Sequence, residues 1–224
     1  MKVLIKNNWL LLLLYFALLL LITFFLLNYG KVEIHLYLNQ LVGNPFIDKF
    51  FYYITYLGDG ALAPVLLICI MFYNVRLGIC CTISFLLAAL FTNTLKYYFY
   101  DEIMRPSHVF KWYVKTPLRY VGDEHYIHNS FPSGHSTQAF AIFICLSLFV
   151  RNHLNKLLFL FIAILVAFSR VYLSQHWLVD ITVGSLIGSL TAMVLYYFVV
   201  NKDKMKKLDR PLLKLFVPES PAQQ

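Results

Sequence analysis

Residues 130–188 read SFPSGHSTQAFAIFICLSLFVRNHLNKLLFLFIAILVAFSRVYLSQHWLVDITVGSLIG, and this stretch decides the fold. It opens on Phe131-Pro132-Ser133-Gly134-His135-Ser136 and runs through an apolar segment to a basic turn at 151–156. A second apolar segment returns to Ser169-Arg170, and His176-Trp177-Leu178-Val179-Asp180 opens a third. Apolar runs of about 20 residues, rising about 1.5 Å per residue, match a bilayer core of about 30 Å. Two histidines, an arginine and a carboxylate at the ends of such runs are costly to keep near a bilayer, and groups of this kind mark function there.

The whole chain has the same character. Of its 224 residues 60% are hydrophobic and 13% charged, with a mean hydropathy of +0.67. A soluble domain carries roughly 25% charge. The composition therefore predicts an all-α, polytopic membrane protein forming one domain over residues 1–224. The net charge of +8 does not point to nucleic acid, because most of the basic residues flank apolar runs and no basic patch stands on a soluble fold. Cys69, Cys80, Cys81 and Cys145 lie inside apolar runs without metal-ligand spacing, and read as small apolar side chains. The sequence contains no phosphate-cradling glycine loop, zinc pattern or dinucleotide fingerprint, so no metal or other cofactor is expected.

Outward from the central stretch, six transmembrane helices are predicted at residues 9–29, 57–73, 77–97, 134–150, 157–172 and 177–200. The first is too long for the apolar core of a signal peptide and has no small-residue cleavage site after it. The second is short and weakened by Gly58, Gly60 and Pro64. Between the first two, Asn44-Pro45 is a helix-start signal, with Asn as cap and Pro in the first turn. Phe46, Phe50, Phe51 and Tyr53 mixed with Asp48 and Lys49 then suggest an interfacial helix, a connector or a lid. Residues 98–130 form the longest polar stretch, and its Trp112, Tyr113, Tyr120 and Tyr126 suit the headgroup level. Residues 201–224 read as a loose basic tail.

Six spans put both termini on one side. That side collects Lys2, Lys6, Arg76, Arg151, Lys156, Lys202, Lys204, Lys206, Lys207, Arg210 and Lys214, eleven of nineteen basic residues. By the positive-inside rule it is the cytoplasm. Lys96, Gly134, His135, Arg170 and His176 then all fall at outward helix ends. Segments spread over some eighty residues of chain converge at one depth on the outer face.

Such a convergence has a definite chemistry. Lys96, Arg105 and Arg170 are cationic donors, and a guanidinium fork fits phosphate oxygens in pairs. Pro132-Ser133-Gly134 starts a helix, whose free N–H groups favour an anion, and Ser133 is either its cap or a donor to the ligand. His176 and Asp180 are four apart and share a helical face. The carboxylate can hold one imidazole nitrogen protonated and leave the other free to attack, while His135 supplies a proton to a departing oxygen. Each piece has an ordinary alternative taken alone: a capping histidine, a snorkelling arginine, a local His–Asp bond. His108, His125 and His128 read as solvated, and Asp123 and Glu124 as surface charge.

The chain resembles the type-2 phosphatidic acid phosphatases, a family grouped with the vanadium haloperoxidases. The second part of that family's signature is Pro132-Ser133-Gly134-His135. The third is Ser169-Arg170, five residues, His176, three residues, Asp180. The first part departs: lysine, six residues, Arg-Pro is the pattern, and here Lys96 is followed by eight residues before Arg105-Pro106. Nine helical steps would put Lys96 and Arg105 on opposite sides, so either the helix ends or bulges between them, or Lys96 is not a ligand. The resemblance covers about residues 95–188. It implies a metal-independent phosphohistidine mechanism with His176 as nucleophile, Asp180 orienting it and His135 as acid and then base. It also implies that Lys96, Arg105, Ser133, Gly134 and Arg170 bind the phosphate. Trp177 either packs under the site or anchors at the interface.

A site at the outer interface suits a lipid phosphate or pyrophosphate. The phrases around residues 128–135 and 168–173 are most similar to bacterial members acting on lipid A phosphates. Undecaprenyl pyrophosphate, phosphatidylglycerophosphate and phosphatidic acid remain alternatives. The expected location is a bacterial inner membrane with the site facing the periplasm, and no obligatory protein partner is expected. A lipid phosphotransferase and a non-catalytic membrane transporter are the rival classes.

Overall fold

A computed structural model describes residues 2–114, 116–122, 127–200 and 203–215. Asp123, Glu124, His125, Tyr126 and Lys202, named above, lie outside the described residues. All regular structure among the described residues is helical: α1 (Lys2–Asn28), α2 (Lys31–Asn39), α3 (Pro45–Ile54), α4 (Ala63–Tyr73), α5 (Val75–Tyr98), α6 (Pro106–Val109), α7 (Gly134–Phe149), α8 (His153–Tyr172), α9 (Leu178–Val200) and α10 (Asp203–Lys206). Short 3-10 turns occupy Thr55–Gly58 and Leu212–Leu215, and a π turn occupies Phe110–Val114.

Four helices, at Ile5–Asn28, Val75–Tyr98, His153–Tyr172 and Leu178–Val199, are long and apolar enough to cross a membrane. The helix expected at 57–73 is broken instead. Pro45–Gly58 and Ala63–Tyr73 form a pair bent by 68°. Just before the break Gly58 packs against the start of α7, where a Cβ would meet Val166 Cγ1 at 2.7 Å and the His135 carbonyl at 2.8 Å. Asp59 completes the turn by accepting the Ala61 N–H at 2.8 Å. Ahead of it Asn44 caps α3, accepting from Phe46 and Ile47 at 3.0 and 3.3 Å.

Helix α7 is the axis of the bundle. Its run Ala139–Leu146 is buried throughout, as an all-round apolar helix must be in a protein interior. Helices α5, α8 and α9 surround it, and α1 lies outermost with Trp9, Leu13, Phe16, Leu20 and Phe24 exposed. Helices α7 and α9 approach each other closely. Gly184 and Gly188 lie four apart on α9, and Cβ atoms there would sit 2.7 Å from the Ser133 carbonyl and 2.3 Å from the Thr137 carbonyl. Small residues at this spacing let helix backbones meet. Ser136 Oγ donates to the Ile181 carbonyl at 2.7 Å, and the Ser133 N–H to the Asp180 carbonyl at 3.1 Å. The two histidine-bearing segments are thereby locked together.

The tail expected to be loose from 201 onward is held over its described part. The Val75 and Arg76 N–H groups each donate at 3.0 Å, to the Arg210 and Leu208 carbonyls. Asn74 Nδ2 donates to Asp209 at 2.5 Å, and Arg76 pairs with Asp209 at 3.8 Å. Residues 216–224 lie outside the described residues.

Candidate active site

Lys96, Arg105, Gly134, His135, Arg170 and His176 line one cavity of about 390 Å³, at the end of the bundle where α5 and α8 finish and α7 and α9 begin. The helix does end between Lys96 and Arg105: α5 stops at Tyr98, Phe99 leaves helical geometry, and Arg105 is extended. The chain doubles back and brings both cations to the same cavity. A larger cavity of about 790 Å³ beside it, lined by Ser107, Trp112, Leu118 and Tyr120 among others, holds neither the arginines nor the histidine pair.

The nucleophile candidate sits on a tight turn. The Arg170 carbonyl accepts N–H groups from both Gln175 (2.9 Å) and His176 (3.1 Å), and Ser174 has φ +55°. His176 is 2% exposed. Burial, and then the charges of Arg105, Lys96 and Arg170, hold its imidazole well below the ordinary histidine pKa, so it is neutral at neutral pH. Its Nδ1 lies 3.5 Å from Asp180 Oδ2, close enough to orient the ring, with no closer partner at that nitrogen. That carboxylate oxygen also accepts from Ser130 Oγ (2.5 Å) and the Trp177 N–H (2.9 Å). Asp180 is 1% exposed and stands behind His176 rather than in the cavity wall.

Arg105 is fixed by carbonyls, Nε to His128 (3.1 Å) and Nη1 to Gln175 (3.3 Å), and Nη1 also donates to Gln175 Oε1 at 3.1 Å. Arg170 Nη1 donates to Thr55 Oγ1 at 2.9 Å. Ser133 caps α7, its Oγ accepting from the Ser136 N–H at 3.4 Å, and it does not line the cavity. Of the two readings of Ser133, the cap is the one found. At Gly134 an added Cβ would meet nothing within 4 Å, so the start of α7 opens onto free space. The arrangement offers three cations and a helix N-terminus to one tetrahedral anion beside a neutral imidazole.

Trp177 packs under the site and is not an interfacial anchor. It is 1% exposed, its Nε1 donates to the Met104 carbonyl at 2.9 Å, and Lys31 Nζ lies 4.9 Å from its ring centroid. His35 contacts the same ring at 5.5 Å and meets Ser174 Oγ at 3.1 Å. Sequence reasoning missed Ser130, Gln175, Thr55 and His35. Ser130 adjoins the motif and was the one within reach. The others act across the fold and carry no local signal. His108 lines the larger cavity, and His128 is exposed.

The sequence profile of the PAP2 superfamily matches residues 77–204. The chain is 28% identical to the lipid A 4'-phosphatase of Porphyromonas gingivalis over 174 residues, covering 74% of this chain and 72% of that one. Among solved structures it is similar to LpxE of Aquifex aeolicus (TM-score 0.64, 25% identity, 74% of this chain and 93% of that one). It also shares the fold of a phosphatidylglycerolphosphate phosphatase from Bacillus subtilis (TM-score 0.63, 22% identity, 88% and 98% covered).

Proposed function

The chain belongs to the PAP2 superfamily, and from that membership we propose that it is a membrane lipid phosphate phosphatase acting through a phosphohistidine at His176. The observation that carries this reading is the single cavity shared by His176, His135, Lys96, Arg105 and Arg170.

In the proposed reaction Asp180 holds Nδ1 of His176, and Nε2 attacks phosphorus in line. The P–N bond forms as the P–O bond to the lipid breaks, and His135 gives its proton to the departing alkoxide. Lys96, Arg105, Arg170 and the N–H groups at Gly134 and His135 neutralise the equatorial oxygens. His135 then takes a proton from water, whose oxygen attacks phosphorus. The P–N bond breaks, inorganic phosphate leaves, and His176 is restored. The residues invoked are cations, imidazoles and backbone donors, and the reaction as written is metal-independent.

The favoured substrate is a lipid A phosphate, supported by similarity to the lipid A 4'-phosphatase. Undecaprenyl pyrophosphate and phosphatidylglycerophosphate are the alternatives. The membrane reading counts α1, the bent α3–α4 pair, α5, α7, α8 and α9 as six spans of one domain. It places both termini in the cytoplasm and the cavity at the periplasmic face of a bacterial inner membrane. The asymmetry of basic residues supports that orientation.

The test is a panel of lipid phosphates given to purified protein in detergent with chelator present. Wild type should release phosphate from at least one of them, vanadate should inhibit, and His176→Ala should be inactive. Transfer of the phosphoryl group to a second lipid instead of water would identify a phosphotransferase. No turnover of any phosphate, with His176→Ala indistinguishable from wild type, would favour a transporter.

A further inference from the structure

A third cavity, of about 450 Å³, lies at the end of the bundle opposite the catalytic one, where α7 ends and α8 begins. Lys6, Arg151, His153 and Lys156 line it, with Phe149 and Tyr196 among the apolar walls, and no lining residue is acidic. Lysines and arginines beside helix ends serve topology, and for that they need only reach water. Lys156 does not. It is 3% exposed, and its Nζ donates to Asn8 Oδ1, an uncharged amide. Among the described residues no carboxylate comes within salt-bridge distance of it. Helix α1 breaks at Asn8 (φ −131°, ψ 16°) where this amide meets the ammonium. An ammonium held by only a neutral acceptor carries a desolvation cost that an anion would offset. The N-terminus of the 20-residue α8, where Asn152 Oδ1 accepts the Leu154 N–H at 2.8 Å, adds positive potential at the same place.

We infer that this cavity binds the phosphate headgroup of an anionic membrane lipid, with Arg151 and Lys6 gripping the outer oxygens and Lys156 the innermost. The cavity sits where helices leave the apolar core, the depth of headgroup phosphates, and its apolar walls suit the glycerol and first chain carbons. Basic cavities between transmembrane helices suit such headgroups. The site is separate from the catalytic one and does not depend on the phosphatase reading.

The experiment measures the thermal unfolding midpoint of the full chain in neutral detergent. It titrates phosphatidylglycerol, phosphatidylcholine or inorganic phosphate against wild type and the Lys6→Gln/Arg151→Gln double variant. Both substituted residues are exposed and leave the core intact. Phosphatidylglycerol should raise the wild-type midpoint by about 4 °C or more beyond phosphatidylcholine, and the double variant should lose most of that rise. If inorganic phosphate alone reproduces the rise and the variant loses it, the oxyanion site stands but the lipid source is overturned. Equal rises in wild type and variant, or equal effects of the two lipids, would overturn the proposal. Because the variant leaves the catalytic cavity untouched, binding there contributes equally to both proteins.

Discussion

The His176 N–H donates to the Arg170 carbonyl at 3.1 Å. This bond gives the five-residue spacing between arginine and histidine its meaning. The chain leaves α8, turns back through Ser174 at φ +55°, and delivers the imidazole to the cavity that the Arg170 side chain already lines. A β-branched residue resists that backbone conformation. Ser174→Val should lower stability by about 1–3 kcal/mol and phosphatase activity by tenfold or more. Ser174→Gly should keep most of both. Denaturation midpoints and initial rates of the two variants check this.

Gly134→Ala separates the anion site from the fold. The added methyl meets no protein atom within 4 Å, yet Gly134 lines the cavity, so the methyl enters the space a phosphate would use. The thermal midpoint should match or exceed that of wild type, because alanine favours the helix more than glycine does. The value of kcat/KM should fall by about tenfold or more. Unchanged activity would mean that the phosphate does not approach the start of α7.

Gly188 tests the opposite effect. A Cβ there would lie 2.3 Å from the Thr137 carbonyl and 2.8 Å from the Ala141 N, both backbone atoms that cannot step aside. Gly188→Val should cost about 1–3 kcal/mol as α7 and α9 separate. Activity should fall with it, since the same contact sets Ser133–His135 against Asp180. Chemical unfolding and activity assays on one preparation measure both.

Acid should weaken the fold through His35. Burial lowers its pKa from 6.5 to about 4. The unfolded chain therefore takes up a proton near pH 6.5 that the folded chain refuses until about pH 4. The resulting stability is complete above pH 6.5 and declines as pH falls from 6.5 towards 4. His176, also lowered by burial, acts in the same direction. His35→Gln retains a hydrogen-bonding group for Ser174 and removes one of the two titrations. Its thermal midpoint should fall less between pH 7 and pH 5 than that of wild type.

The parts of this molecule legible in the sequence are those whose geometry is local. Asn44-Pro45 announces α3, Ser133 caps α7, and the four-residue step from His176 to Asp180 puts both on one face. Lys96 shows the limit. Its spacing to Arg105 posed the question whether α5 ends between them, and only the end at Tyr98 answers it. In the sequence Gly58 only weakens a helix, but its contact is with the His135 backbone 77 positions away, which no local pattern encodes. The same holds for α2, where the purpose of His35 emerges only once Trp177 lies against it. The tail over 205–214 looked loose because its partner, Arg76, lies at the start of α5.

The central claim is that His176 forms the covalent bond to phosphorus. Phosphohistidine survives alkali and is destroyed by acid, so the direct measurement is an alkaline quench after mixing enzyme with a lipid phosphate labelled at phosphorus. Peptide mapping then locates the label. His135→Ala should slow both the appearance of the label and its loss, because the same imidazole protonates the departing alkoxide and activates water, so wild type quenched early is the species that carries it. The account predicts alkali-stable, acid-labile phosphorus on the peptide containing His176, absent from His176→Ala. Turnover by a protein that never acquires the label, or a label that persists in His176→Ala, would contradict it.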